Sequence, residues 1–435
     1  SDSNINPQDV ANFRSMFGLP PNPVHVILDG PDPGIIPGAE TEADLDTEWA
    51  GAVATNTTID LVVSESTETT AGIDLSALYI VDNNFAPVLN ESYGICESWQ
   101  GNSGNAFEAA IWQQAAAEGI TVVVAAGDSG SAGCDSSYFE NAATLGLAVS
   151  GNASTPYNVA VGGTDFDNPS SYFSTTNNST TQASAQSYVP EITWNDSCAR
   201  SGQTTGCSTI SHYGQDLAAG GGGQSNCALQ DSSGNCTAGY AKPAWQSGTG
   251  VPADGLRDIP DVSLFSGFGL DGAFYIMCES DVKDTSGNGS ASCSSSISTL
   301  DFLAVGGTSV ASPEFAGIMA LVNQKTGQRQ GNANFVLYPL AAAAAKNNAD
   351  CPSNPTAVNA PSCVFYDITQ GHNTSGSDIT PGNNSVSCVA GSPNCNAPVG
   401  YPDGILVYPE GSLTPAWTTN TGYDLATGLG SVNAA

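Results

Sequence analysis

The chain has 435 residues, with 8 Lys+Arg against 42 Asp+Glu and a formal net charge of −34 at pH 7. Base is missing rather than acid added, since charged residues are only 11% of the chain against roughly 25% in an average globular domain. Eight cations build no basic patch, which argues against nucleic acid and an anionic membrane surface as partners, and 40% hydrophobic residues argue against a disordered chain.

The first 165 residues read as α/β. Val24–Leu28, Thr58–Val63 and Val88–Ser92 are short apolar runs of strand type. Ala106–Glu118 is rich in helix formers, Gly119 can end it, and Ile120–Ala126 follows as a buried strand. Asn158–Val161 then runs into Gly162-Gly163. Such strand–helix–strand alternation predicts a parallel sheet covered by helices. Residues 165–255 are rich in Ser, Thr, Asn and Gly and hold four cysteines, which predicts a loop-rich insertion pinned by disulfides. Regular structure resumes at Ile259–Ser263. Ser312 as N-cap and Pro313 at the first helical position predict a helix through Asn323. From Lys346 onward the chain is loop-rich again. No linker or internal repeat divides it, so residues 1–435 are expected to form one domain.

The shortage of base points to an acidic environment. Near pH 3 most carboxylates are neutral, and 8 Lys+Arg with 3 His cap the positive charge far below that of an ordinary chain. The 12 cysteines fall in close neighbours, 96/134, 198/207, 227/236, 278/293, 351/363 and 388/395. None has zinc-ligand spacing, so disulfides in an oxidising compartment are expected. Asn56, Asn152 and Asn373 open glycosylation sequons. With no leader and no apolar run long enough to span a membrane, the sequence reads as a mature, secreted, extracellular product.

Ser309, beside Gly306-Gly307 and just before the predicted helix, suits a nucleophile, because a helix N-terminus favours developing negative charge. A capping serine is the alternative. The three histidines offer poor bases: His25 is expected to fill a core position, and His212 and His372 lie in loop-rich stretches. Carboxylates can serve instead at acid pH. In Glu40–Trp49, at about 100° per residue, Glu42 and Asp46 share the apolar face with Leu45, Trp49 and Val53, while Glu40, Asp44 and Glu48 fall on the opposite, wet face. Two adjacent buried carboxylates titrate as a pair with one pKa raised, which suits a proton relay. Asp128 stands at the end of the buried strand Ile120–Ala126, where α/β sites assemble.

These residues resemble the sedolisins, the serine-carboxyl peptidase family. Gly307–Pro313 is similar to the family's nucleophile motif, Glu42-x-x-Leu-Asp46 to its acid pair, and Gly127–Gly130 to its oxyanion motif. Ser92–Gly94 with Glu97, Val161–Thr164, Gly221–Ser225 and Pro260–Ser263 support the match. The resemblance implies a subtilisin-like α/β fold, with Glu42 as base to Ser309, Asp46 orienting Glu42 and Asp128 assisting at the oxyanion. It implies an acid-active endopeptidase, or a tripeptidyl-peptidase of the same family, acting on proteins or peptides as a monomer and made with its own propeptide. A disulfide-rich extracellular binding protein is the competing reading, and it leaves the acid pair and Ser309 unexplained. A glycosidase is disfavoured because acids at i,i+4 sit too close to flank a sugar, where roughly 5–9.5 Å is needed. Two turn-prone segments, Val364–Gly371 and Thr419–Gly428, resemble the family's calcium site. The implied ligands are the Asp367 and Asp424 carboxylates and the carbonyls of Ile368, Asn420 and Gly422, holding one structural Ca2+.

Overall fold

In the computed structural model the described residues are 1–167, 169–201, 217–282, 291–293, 301–346, 351–353, 363–371 and 381–434. The chain runs through α1 (Pro7–Met16), β1 (His25–Leu28), α2 (Ala39–Val53), β2 (Asp60–Val63), α3 (Gly72–Asp82), β3 (Val88–Glu91), α4 (Glu97–Ala117), β4 (Thr121–Ala125) and β5 (Val159–Phe166). Short strands follow: β6 (Glu191–Thr193), β7 (Gly223–Gln224), β8 (Leu229–Gln230), β9 (Cys236–Ala238), β10 (Asp258–Ile259), β11 (Val262–Phe265), β12 (Tyr275–Met277) and β13 (Leu303–Val305). The remainder comprises α5 (Thr308–Thr326), α6 (Asn334–Lys346), β14 (Phe365–Tyr366), β15 (Ser387–Val389), β16 (Cys395–Asn396), β17 (Asp403–Leu406) and β18 (Ser431–Val432).

The central sheet has the order β14-β18-β11-β5-β4-β3, with β6 also paired to β5. From β3 to β18 the pairings are parallel, with Leu89 opposite Val122, Val124 opposite Ala160 and Val161 opposite Val262. β14 and β6 pair antiparallel. Because strand side chains alternate, the all-buried β4 serves two cores at once. Val123 packs with Val159, Val161 and Val262 against Ala311, Phe315 and Met319 of α5. Val122 and Val124 pack on the other face against Ala77 and Val81 of α3 and Ile111 and Trp112 of α4. This is the α/β, helix-flanked parallel sheet read from the sequence.

One close approach positions the site. A β-carbon on Gly317 of α5 would lie 2.8 Å from Val53 Cβ and 3.0 Å from the Ala50 carbonyl, so α2 and α5 touch only because position 317 has no side chain.

Five of the expected cysteine pairs are disulfides: Cys96–Cys134, Cys227–Cys236, Cys278–Cys293, Cys351–Cys363 and Cys388–Cys395. The 198/207 pairing involves Cys207, which lies outside the described residues, as do His212, His372 and Asn373. Residues 165–255 are not wholly peripheral, since β6 joins the central sheet and Ala219 bridges to Ser129 beside Asp128. Helix α4 begins nine residues before the expected start, and a break at Gly101 (φ 63°, ψ −178°) separates its first turn from the rest. His25 is not in the core. Its side chain is 56% exposed and 3.2 Å from Asp60, because β1 carries His25 outward at the end of a small sheet. The Asn152 sequon is also corrected: Asn152 is buried and donates to Glu91 while accepting from Ile95 N and Gln100, which leaves no place for a glycan.

Candidate active site

The nucleophile candidate lies inside a helix rather than before it. Gly307, at φ 115°, is the N-cap of α5, and its N–H donates to Ser266 O at 2.8 Å. Thr308 and Ser309 are therefore the first two helical residues, and the helix starts five residues earlier than expected, which leaves Ser312 and Pro313 in its second turn. The first N–H groups of a helix have no partner within it, so the Ser309 amide faces outward with the helix dipole behind it. The Ser309 hydroxyl is 3.2 Å from the Ser92 carbonyl and also engages the Glu42 carboxyl.

Helix α2 delivers Glu42 and Asp46 to this turn, through the contact that Gly317 permits. Both are partly buried. Burial, then the neighbouring Asp46 and Asp128 carboxyls, raises the Glu42 pKa well above the ordinary carboxylate range. Burial raises Asp46 too, against hydrogen bonds from Ser92 and Asn90. Ser92 Oγ lies 2.6 Å and Asn90 Nδ2 3.0 Å from Asp46 Oδ1.

Asp128 ends the β4 strand-to-loop turn. Its Oδ1 accepts from Thr308 N at 2.8 Å and Thr308 Oγ1 at 2.9 Å. Burial raises its pKa, and the two Thr308 bonds act in the other direction. Glu42, Ser92, Asp128, Thr308 and Ser309 line one cleft of about 340 Å³, with Trp99 and Tyr138 at its rim. Among the described residues no histidine lines it. Three residues of this arrangement were not singled out from the sequence: Asn90, Thr308 and Ser92 as a side-chain donor. Their signal is position, because Asn90 and Ser92 flank the C-terminal end of β3 and Thr308 precedes Ser309, and strand ends are where such sites assemble.

The expected wet face of α2 is overturned. Glu40, Asp44 and Glu48 are fully buried. The helical periodicity was sound, but α1 and the segment after β12 cover that face with further acids, Asp9 and Glu279. Ser280 donates to Asp9, Thr41 to Glu279 and Cys278 N to Glu48.

The two turn-prone C-terminal segments meet. Gly422 N donates to Asp367 Oδ2 at 3.0 Å. Asp424 is buried, its Oδ1 accepts from Ala426 N and Thr427 N, and its Oδ2 from Asn420 N at 3.3 Å. Burial chiefly, with Asp367 adding to it, pushes the Asp424 pKa up to about 7. Among the described residues the carbonyls of Ile368, Asn420 and Gly422 accept no hydrogen bond. Two neighbouring carboxylates beside uncommitted carbonyls are a donor set that suits a hard cation. A separate acidic group, Asp165, Asp196 and Asp271, has carboxylate oxygens within 4.8 Å of one another. Arg200 already answers it, 2.9 Å from Asp271 and 3.7 Å from Asp196.

The family model that matches is the subtilase family, over residues 34–250. Kumamolisin of Bacillus sp. (strain MN-32) is 28% identical over 83% of the chain, and sedolisin of Pseudomonas sp. (strain 101) is 26% identical over 84%. Xanthomonalisin of Xanthomonas sp. (strain T-22) is 27% identical over 85%. The chain spans 50% of the length of the first two and 33% of the third. Among solved structures, Pseudomonas sedolisin complexed with two molecules of pseudo-iodotyrostatin superimposes with a TM-score of 0.61 at 22% identity, over 99% of this chain and 88% of that one. That likeness gives the fold as subtilisin-like.

Proposed function

Since the chain belongs to the sedolisin family of serine-carboxyl peptidases, we propose that it hydrolyses peptide bonds at acid pH through a Ser309 acyl-enzyme. The observation that carries the reading is the convergence of Ser309, Glu42 and Asp128 on one cleft with no histidine among its described lining residues.

Ser309 Oγ adds to the substrate carbonyl as its proton passes to Glu42, whose raised pKa makes it a stronger base than an exposed carboxylate. Asp46, on the next turn of α2, orients Glu42. The new oxyanion accepts from the Ser309 amide and from a neutral Asp128. Glu42 then gives the proton to the leaving amine, and water repeats the sequence on the acyl-enzyme. Asp128 Oδ1 is already committed as an acceptor to Thr308, so a proton on Asp128 resides on Oδ2 and points to the cleft. Asp128 must stay protonated to donate, which is why acid pH suits the reaction.

We take the action to be endopeptidic on proteins or peptides, with the exposed Trp99 and Tyr138 offering apolar contact at the rim. Five disulfides support an oxidising, extracellular location, and no helix among the described residues is long and apolar enough to cross a membrane. Asp367, Asp424 and the carbonyls of Ile368, Asn420 and Gly422 would hold one Ca2+, which would pin the C-terminal loops and take no part in the chemistry.

The test is acid-dependent cleavage of a denatured protein. Turnover should vanish in Ser309→Ala, and a peptide aldehyde should form a covalent adduct with Ser309 in the unsubstituted protein. Turnover surviving in Ser309→Ala overturns the reading, and release of tripeptides alone would replace endopeptidase with tripeptidyl-peptidase.

A further inference from the structure

Pro313 stands four residues after Ser309 in α5. Proline has no N–H, so the Ser309 carbonyl lacks the donor that a helix would ordinarily supply. That carbonyl instead accepts from Ser92 Oγ at 3.1 Å, across from the end of β3. The same Ser92 Oγ lies 2.6 Å from Asp46 Oδ1. Asn90 Nδ2 is 3.1 Å from Ser92 Oγ and 3.0 Å from Asp46 Oδ1, and Asn90 Oδ1 accepts from the buried Ser312 at 2.6 Å. Asn90 and Ser92 thus tie α2 and the first turns of α5 to one strand end.

We propose that Ser92 is a positioning residue for the nucleophile, its hydroxyl joining the Asp46 carboxyl to the Ser309 main-chain carbonyl in the place that Pro313 leaves open. The inference rests on the serine-carboxyl peptidase reading and adds a residue to it.

A serine hydroxyl has one proton, yet Ser92 Oγ makes two contacts with oxygens that are acceptors when Asp46 is ionised. Both are satisfied together only when Asp46 carries a proton. Asp46 then donates to Ser92 Oγ, Ser92 donates to the Ser309 carbonyl, and Asn90 still donates to both Ser92 and Asp46. If Asp46 ionises, Ser92 turns its proton to the carboxylate, because charge-assisted bonds are the stronger, and the Ser309 carbonyl loses its donor. The placement of the nucleophile is thereby coupled to the proton that Glu42 and Asp46 share. Among the described residues, the charged and titratable groups facing this pair are Glu91 on β3, Tyr93, Asp128 and Tyr138 across the cleft, and the Ser1 amino group. Burial raises Asp46 and so favours the protonated arrangement at acid pH.

The experiment is a cycle on Ser92→Ala and Pro313→Ala, read as kcat, KM and the pH profile of kcat/KM, with adduct formation by a peptide aldehyde followed in each variant. Ser92→Ala should lower kcat about tenfold to a hundredfold with KM changed less than about threefold, and Ser92→Thr, which keeps the hydroxyl, should recover most of the loss. Pro313→Ala supplies the missing N–H, so the double variant should be faster than Ser92→Ala. In Pro313→Ala alone, Ser92 is free to serve Asp46, which favours the ionised pair and should move the alkaline limb of the profile down by about half a pH unit. Additive effects in the cycle, or a Ser92→Ala profile and kcat indistinguishable from the unsubstituted protein, overturn the proposal. If Ser92→Ala does not fold, Pro313→Ala is read in the Asp128→Asn background, where position 128 cannot ionise, and an unmoved alkaline limb there overturns it by itself. Failure of the peptidase reading looks different: the aldehyde then leaves Ser309 unmodified in the unsubstituted protein.

Discussion

The Asp128 carboxylate occupies the space that a side chain on Gly307 would take, for a β-carbon there would lie 2.7 Å from Asp128 Oδ2. The N-cap of α5 and the acid beside it are therefore fitted to each other. The backbone of Gly307 is at φ 115°, which disfavours any side chain.

The first expectation concerns which oxygen of Asp128 works. With Oδ1 held by Thr308, only Oδ2 is left to donate, and it donates only while Asp128 is neutral. Asp128→Asn keeps an N–H donor at that place, whereas Asp128→Ala removes it. Loss of one oxyanion donor costs about 10²–10³ in kcat, so Asp128→Ala should fall by that amount and Asp128→Asn by about tenfold or less. Steady-state kinetics at the acid optimum decides this, and equal losses in the two variants would remove Asp128 from the oxyanion.

The second concerns the C-terminal loops. A cation bound by Asp367 and Asp424 in the native state alone stabilises that state by linkage. Chelation should lower the melting temperature of the purified protein by a few degrees, and added calcium should restore it. Asp367→Ala should melt lower and ignore chelator. Elemental analysis without calcium, together with a melting curve indifferent to chelator, would sink the idea.

The legible parts of this molecule are those whose determinants are local. The buried strand β4 and the disulfides between near neighbours such as Cys388 and Cys395 follow from short stretches of chain. That Glu42 and Asp46 share one face of α2 is likewise local, because Leu45 and Trp49 mark that face at helical spacing. What failed depended on distant chain. Glu40, Asp44 and Glu48 are polar and look wet, but Asp9 and Glu279 arrive from outside the segment to bury them. Pro313 looks like a first-turn proline, but it sits deeper, where Ser92, remote in sequence, donates to the carbonyl that the proline leaves open. His25 looks like a core residue in an apolar run, but its strand lies at the margin of a two-stranded sheet, where one end points to solvent.

The last expectation is a stability that falls as pH rises, for a reason outside the Ser309 cleft. Asp9, Glu40, Asp44, Glu48 and Glu279 are buried together between α1, α2 and the segment after β12. Each leaves at least one carboxyl oxygen without a hydrogen-bond partner, and Asp44 leaves both. Burial first, then mutual repulsion, pushes the Asp44 pKa up to about 9 and that of Glu40 to about 7. An unfolded chain loses these protons near pH 4. Between that pH and the raised values the folded chain holds protons that the unfolded chain has released, so unfolding becomes easier as pH climbs through this window. The contribution is fully present below about pH 4 and is lost progressively up to about pH 9 for Asp44. Asp44→Asn is isosteric and cannot ionise. It should leave stability near pH 4 almost unchanged and raise it at pH 7 by a few kcal/mol, flattening the decline. Denaturant unfolding of both proteins at several pH values measures this. Parallel curves, with Asp44→Asn losing stability as steeply as the unsubstituted chain, would mean that the pH dependence comes from other groups.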